Sequence, residues 1–181
     1  ASDHPPVYTL ARRTWRAWPV RLNTMKFILI DRITELVPGE RVSAIKAVSL
    51  AEEYLRDHFP TFPVLPGVLM IEAMVQASMC LVRVTEDFAH SVLILEEAKN
   101  VTYKSFVTPG QVLEVAVQAK KIDTSASQFV GVGRCGEEVM VKAHWSLRHL
   151  NLADSDPGLA DLDRQLIASA RQQLSLLRQP A

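Results

Sequence analysis

Hydrophobic positions along this chain alternate between two-residue and helical spacing, and the alternation predicts its elements. Phe27-Ile28-Leu29-Ile30 is an apolar run, followed by the turn residues Pro38-Gly39-Glu40 and then by the loosely alternating Val42-Ser43-Ala44-Ile45-Lys46-Ala47-Val48. Together they read as a β-hairpin. Leu50 to Arg56 predicts a short helical turn with Ser49 as its N-cap. From Gly67 to about Val84 apolar residues fall on every side of a helix, the mark of a buried helix rather than a surface one. Four strand-like runs follow: Ser91–Leu95 extending toward Phe106, Val112–Ile122, Gln128–Gly133 and Val139–Leu147. Thr108-Pro109-Gly110 and Cys135-Gly136-Glu137 supply turns between them. Asn151 to Gly158 is a polar linker, after which Leu159, Leu162, Leu166, Ala170, Leu174 and Leu177 recur at helical spacing. This order predicts an α+β fold, with an antiparallel sheet wrapped around one long central helix. The amphipathic C-terminal helix is expected to dock on its own domain or on a sister subunit. Its polar face mixes aspartate, glutamine and arginine, which argues against a membrane surface.

Composition narrows the picture. The 181 residues suit one domain with a real core. Twenty basic and twenty acidic residues cancel, so neither nucleic acid nor an anionic membrane is an expected partner. Cys80 and Cys135 match neither a disulfide framework nor a zinc pattern, and reduced thiols in a cytoplasmic protein are the expectation. The longest apolar stretch, Val64 to Val84, is interrupted by Pro66, Glu72, Gln76 and Arg83, so no bilayer span is expected. No apolar secretory segment stands near the N-terminus. Residues 1–24 carry Arg12, Arg13, Arg16 and Arg21 against Asp3, with Trp15 and Trp18 between them. They read as a basic extension, non-native or disordered, ahead of a domain at 25–150 and of a linker with its helix at 151–181. The chain begins with Ala1, and Met25 is a candidate natural start.

The chemistry concentrates between Asp57 and Gln76. His58 sits in a loop where Pro60, Pro63 and Pro66 fix φ at three positions, so its imidazole loses little further entropy on being held. Pro66-Gly67 opens the apolar helix, whose first amides have no intrahelical partner and whose dipole favours an anion. Without a side chain at Gly67 a substrate oxygen could approach those amides. Glu72 lies among Leu69, Ile71, Ala73, Val75 and Met79, a setting expected to shield the carboxyl from water and to raise its pKa. Gln76, one turn on, can bond it; Arg83, two turns further on, is expected to snorkel from the helix end. Each residue alone also has a structural reading. A base, an oxyanion-facing helix start and an acid in one segment point to proton transfer beside a carbonyl. His4, His90, His144 and His149 show no ligand-like spacing with Cys, Asp or Glu, so no metal is expected. No serine sits on a nucleophile elbow.

The run His58-Phe59-Pro60-Thr61-Phe62-Pro63-Val64-Leu65-Pro66-Gly67, followed by Glu72 and Gln76, resembles the signature of the β-hydroxyacyl-acyl-carrier-protein dehydratases, which have the hotdog fold. The resemblance extends to Leu29-Ile30-Asp31-Arg32-Ile33, Pro38-Gly39, Val101-Thr102-Tyr103-Lys104 and Val107-Thr108-Pro109-Gly110, covering about residues 25–150. It implies that His58 removes the α-proton of a β-hydroxyacyl thioester and that the Gly67 amide holds the carbonyl. Glu72, from the partner subunit, would act on the departing hydroxyl to give a trans-2-enoyl product. Gln76, Phe59 and Val68 would complete the substrate site. The resemblance further implies an acyl carrier protein as partner, approached by Lys99 and Lys104, a homodimer or a hexamer built from dimers, and no cofactor. Thr61 departs from the family's glycine, Ser105 from its second basic residue, and Thr24-Met25-Lys26 from its usual approach to the first strand. An acyl-thioesterase of the same fold and a non-catalytic acyl-binding scaffold are the alternatives.

Overall fold

The computed structural model describes residues 27–59 and 61–178; the extension expected at 1–24 and Pro60 lie outside them. Six strands, β1 (Arg32–Val37), β2 (Arg41–Ala47), β3 (Val92–Tyr103), β4 (Val112–Ile122), β5 (Ala126–Cys135) and β6 (Glu138–Leu150), form one sheet. Its order is β1-β2-β4-β5-β6-β3, and each neighbouring pair is antiparallel. Three α-helices accompany it among the described residues: α1 (Tyr54–Asp57), α2 (Gly67–Thr85) and α3 (Ala160–Leu177). This is the hotdog arrangement the resemblance implied.

Two-residue alternation turns one face of the sheet onto α2. Val42 and Ala44 of β2, Leu113, Val115 and Val117 of β4, and Ala143, Trp145 and Leu147 of β6 are buried there against Met70, Ala73, Met74, Ala77 and Leu81. Close approach requires glycine on β5. A methyl at Gly131 would stand 2.6 Å from the Trp145 ring and 3.1 Å from Met74 Sδ. Trp145 Nε1 donates to Ser78 Oγ at 3.0 Å, and that hydroxyl donates to Val75 O, so the polar atoms in this dry layer are satisfied. Against expectation, α2 is long and apolar enough to cross a bilayer; here it is the core helix, enclosed by the sheet.

Four expectations need correction. The first strand is Arg32–Val37, not Phe27–Ile30. The earlier run is bound to a side chain instead of a strand: the Leu29 amide donates to Gln76 Oε1 and Phe27 O accepts from Gln76 Nε2, both at 2.9 Å. Ser49 does not cap α1, which starts after Glu53; its hydroxyl accepts from the Ala51 amide in a local turn. Asn151–Gly158 is built as two single 3₁₀ turns, Leu152–Asp154 and Pro157–Leu159. Arg83 does not snorkel free: its Nε is buried without a hydrogen-bond partner among the described residues, and burial lowers its pKa.

The C-terminal helix docks on its own domain. Ala170, Leu174 and Leu177 are buried, and the Arg171 guanidinium lies 4.1 Å from the centre of the Phe88 ring while bonding Asp87. The buried Asp163 carboxylate accepts from the Ser91 hydroxyl and from the amides of Leu152 (3.0 Å) and Ala153 (2.8 Å). Those bonds, Ser91's first, hold its pKa below the usual carboxylate value. The sign follows from linkage: a lowered folded pKa stabilises above the unfolded value, near pH 4, and is lost as pH falls through the folded one. Acidification below about pH 4 should therefore loosen α3 before the sheet. Asp163→Ala should do the same at neutral pH, read as faster amide exchange in 160–177 with β4 to β6 still protected.

The start of α2 is equally constrained. A methyl at Gly67 would lie 2.7 Å from Tyr103 Cε1. Since that ring is half exposed and can swing away, Gly67→Ala should cost about 1 kcal/mol in urea unfolding, the low end of overpacking. Tyr103→Ala in the same chain should recover it; a strictly additive double mutant would show that the ring is not the obstacle.

Candidate active site

The loop between α1 and α2 is fastened at both ends. Before it, Lys46, 4% exposed, donates from Nζ to Glu52 Oε1 and to Ala47 O, both at 2.5 Å, which holds the approach to α1 on β2. After it, the Leu65 amide donates to Val107 O at 2.8 Å. Between these anchors His58 leaves α1 with extended backbone, and Phe59 takes the left-handed region at φ +51°. A phenylalanine there costs roughly 1–2 kcal/mol, and such strain persists only where surrounding bonds over-determine it. The Phe62 amide closes the turn on Phe59 O at 2.8 Å.

Pro66 caps α2, and the first amides bonded within it are those of Leu69 and Met70, both to Pro66 O. The Gly67 and Val68 amides precede them and carry the positive end of a 19-residue helix. His58, Phe59, Gly67 and Val68 together line a cavity of about 340 Å³, with Val64, Leu65, Met70, Tyr103, Ser105 and Phe106. A base and a helix N-terminus thus share one mostly apolar chamber, where a thioester could meet both. A larger hollow of about 570 Å³, between Arg41, Arg134, Lys142 and His144 on the outer face of the sheet, contains no helix terminus.

Glu72 is not in that chamber. Five residues along a helix is a rotation of about 140°, which carries it to the other side from Gly67. It is half-buried in the single chain, not enclosed as expected. Gln76 Nε2 donates to its Oε1 at 2.9 Å. The same amide group also binds Phe27 O and the Leu29 amide, so its two N–H groups and its oxygen are all engaged. Gln76 therefore ties the Glu72 carboxyl to the Phe27–Leu29 segment, with both of its N–H groups engaged. Val68 shares the Glu72 side of the helix and is 67% exposed.

Lys104 follows Tyr103 directly and is exposed beside the chamber mouth, whereas Lys99 pairs with Glu97 at 2.7 Å and does not line it. Sequence reasoning singled out neither Tyr103 nor Phe106. Both lie at or beyond the end of β3, and only the fold brings them over Gly67 and His58. Phe106 meets Phe62 edge-on at 5.6 Å, and burial raises the Tyr103 phenol's pKa, keeping it neutral.

The histidines also need revision. Glu86 and His90 are four apart, a spacing that does place ligands together, and β6 brings His149 to them. Glu86 Oε2 lies 2.9 Å from His90 Nδ1 and Glu86 Oε1 lies 3.1 Å from His149 Nδ1. Burial lowers the pKa of His149, although Glu86 opposes this.

Comparison with known proteins places the chain in a family. A family model described as a FabA-like domain matches residues 22–142. The 3-hydroxyacyl-[acyl-carrier-protein] dehydratase FabZ of Syntrophomonas wolfei is 36% identical over 114 residues, 63% of this chain and 79% of that protein. The FabZ of Symbiobacterium thermophilum is 33% identical over 131 residues, 72% of this chain and 92% of that protein. Among solved structures, the dehydratase heterocomplex ApeI:P of Xenorhabdus doucetiae aligns with a TM-score of 0.58 at 21% identity, over 74% of this chain and 90% of that one. At that identity the structural match speaks for the fold. The match of the family model over most of the described domain, and that of the FabZ sequences over most of their length, establish that the chain belongs to the FabA-like family of 3-hydroxyacyl-[acyl-carrier-protein] dehydratases.

Proposed function

We propose that this protein dehydrates β-hydroxyacyl thioesters carried on acyl carrier protein to trans-2-enoyl thioesters, in fatty acid synthesis. The observation that carries the reading is the shared chamber of His58 and the Gly67 helix terminus. His58 takes the α-proton, and the electron pair moves into the thioester carbonyl, whose oxygen meets the Gly67 amide. Collapse of that enolate forms the double bond and expels the β-hydroxyl, which Glu72 protonates to water. Phe59 and Val68 flank the acyl chain, which arrives on a phosphopantetheine arm, and the exposed Lys104, between Tyr103 and Ser105 of the chamber lining, offers a cation to an acidic carrier. Lys99, engaged by Glu97, is a weaker candidate. The two free thiols, Cys80 buried and Cys135 half-buried, suit a reducing cytoplasm.

The chemistry needs a second copy of the chain, because Glu72 lies outside the chamber of its own subunit. Two features support that assembly. β3 is an edge strand whose middle is exposed on both faces, open to pairing. Phe59, Phe62, Val68, Tyr103 and Phe106 leave apolar surface around the mouth, as a site completed by a neighbour would. A homodimer, alone or within a hexamer, brings the Glu72 of one subunit to the His58 of the other.

Turnover of a β-hydroxyacyl carrier substrate should produce the enoyl chromophore and retain the thioester; release of thiol alone would identify a thioesterase, and binding without turnover a scaffold. His58→Ala should lower the rate by about 10² to 10⁴, with dimer mass unchanged. Mixing His58→Ala with Glu72→Gln subunits should restore about a quarter of wild-type activity, since half the pairs are mixed and each has one intact site. An inactive mixture would place both groups in one chain.

A further inference from the structure

The far end of α2 gathers a second set of chemically competent groups that the proposed dehydration does not use. Glu86 caps the C-terminus of α2, His90 stands in the connection to β3, and His149 comes from the end of β6. One donor atom from each lies within 4.8 Å of the other two. The two Glu86 oxygens each lie close to one ring, Oε2 2.9 Å from His90 Nδ1 and Oε1 3.1 Å from His149 Nδ1, so the carboxylate faces both imidazoles at once.

From this convergence we infer a binding site for a divalent transition cation of the zinc class, held by Glu86, His90 and His149. Two imidazoles and a carboxylate are a zinc donor set that leaves one position for water. The far nitrogen of the His149 ring already has a partner: Ser127 Oγ lies 2.9 Å from His149 Nε2. If the ring carries its proton on Nε2, the hydroxyl accepts it and the Nδ1 lone pair is aimed at the cation, the arrangement that orients ligating histidines. The His149 side chain is fully buried, while those of Glu86 and His90 keep 14% and 18% of their surface, so an ion has a way in.

The location indicates what the ion would do. A 19-residue helix is about 28 Å long, so the cluster stands a full helix length from the Gly67 amide and takes no part in chemistry there. It joins α2, the approach to β3 and the end of β6 at one point. Ser91, next to His90, and Asn151, two residues after His149, hold the platform for α3: Asn151 Oδ1 accepts from the Ser91 amide, and Ser91 bonds Asp163. Cation binding would therefore brace the seat of the C-terminal helix.

The test is calorimetric titration of metal-free, full-length protein with Zn²⁺, with Co²⁺ as a spectroscopic substitute. About one ion per chain is expected, with a tetrahedral Co²⁺ visible spectrum that Zn²⁺ abolishes. Glu86→Gln, which preserves shape, and His90→Ala, at the more accessible ligand, should each weaken binding by about tenfold or more. His149→Ala could unfold the buried layer, so the two milder variants decide, with thermal melting to confirm that they fold. Wild-type protein that takes up no Zn²⁺, or folded variants that bind it as tightly as wild type, would overturn the site and leave the cluster as a hydrogen-bonded staple.

Discussion

One constraint organises this molecule: an apolar helix has to be enclosed on nearly every side while its first turn remains open. Enclosure favours burial by about 25 cal/mol for each Å² of apolar surface removed from water, which no surface helix of this composition could forgo. The six-stranded sheet meets the requirement by laying its apolar face on the helix, and it can approach closely only because β5 carries glycine where Trp145 and Met74 press in. Enclosure ends at Gly67. There a single tyrosine ring, itself half exposed, fills the space a side chain would take, and the amides behind it stay reachable. The chamber is the place where the wrapping stops.

That opening is useful only if what faces it is held firmly, and the holding is done at a distance. Lys46, Glu52 and the Leu65–Val107 bond fix the two ends of the proline loop. With the ends fixed, Phe59 can be kept at positive φ, and His58 has few alternative orientations to lose. Gln76 has the corresponding role for the acid: it spends every hydrogen-bonding group on Glu72 and on the segment at Phe27 and Leu29. A residue that the resemblance put in the substrate site thus holds its neighbour's carboxyl and the Phe27–Leu29 segment together.

Much of this was legible in the sequence, for reasons tied to period and turn chemistry. Val112–Ile122 was readable to the residue as β4, because alternation from Leu113 to Val117 between two turns fixes which side chains face the helix. The central helix was readable from the Pro66-Gly67 start and its unbroken apolar surface. Phe27–Ile30 was misread because an apolar run carries no sign of what bonds its backbone, and here the partner is a glutamine side chain 47 residues away. Tyr103 and Phe106 were missed for a related reason: in a strand and its exit, sequence tells which face a side chain takes but not which loop lies above it. The triad at Glu86 was half legible, in its four-residue spacing, and half not, since His149 arrives only through the β3–β6 pairing.

The two ends of α2 divide the labour between them. At its N-terminus the Gly67 and Val68 amides precede the first bonds within the helix and Phe59 is held at positive φ, a strain that lowers stability there. At its C-terminus Glu86 anchors two histidines and, through Ser91 and Asn151, the last helix. A rigid rod transmits that anchoring: a helix buried along its length cannot shift its first turn without displacing the side chains packed on every later one. The accuracy with which Gly67 faces His58 is therefore set in part by contacts a full helix length away. Bracing the seat of α3 contributes to the same rigidity from the far end.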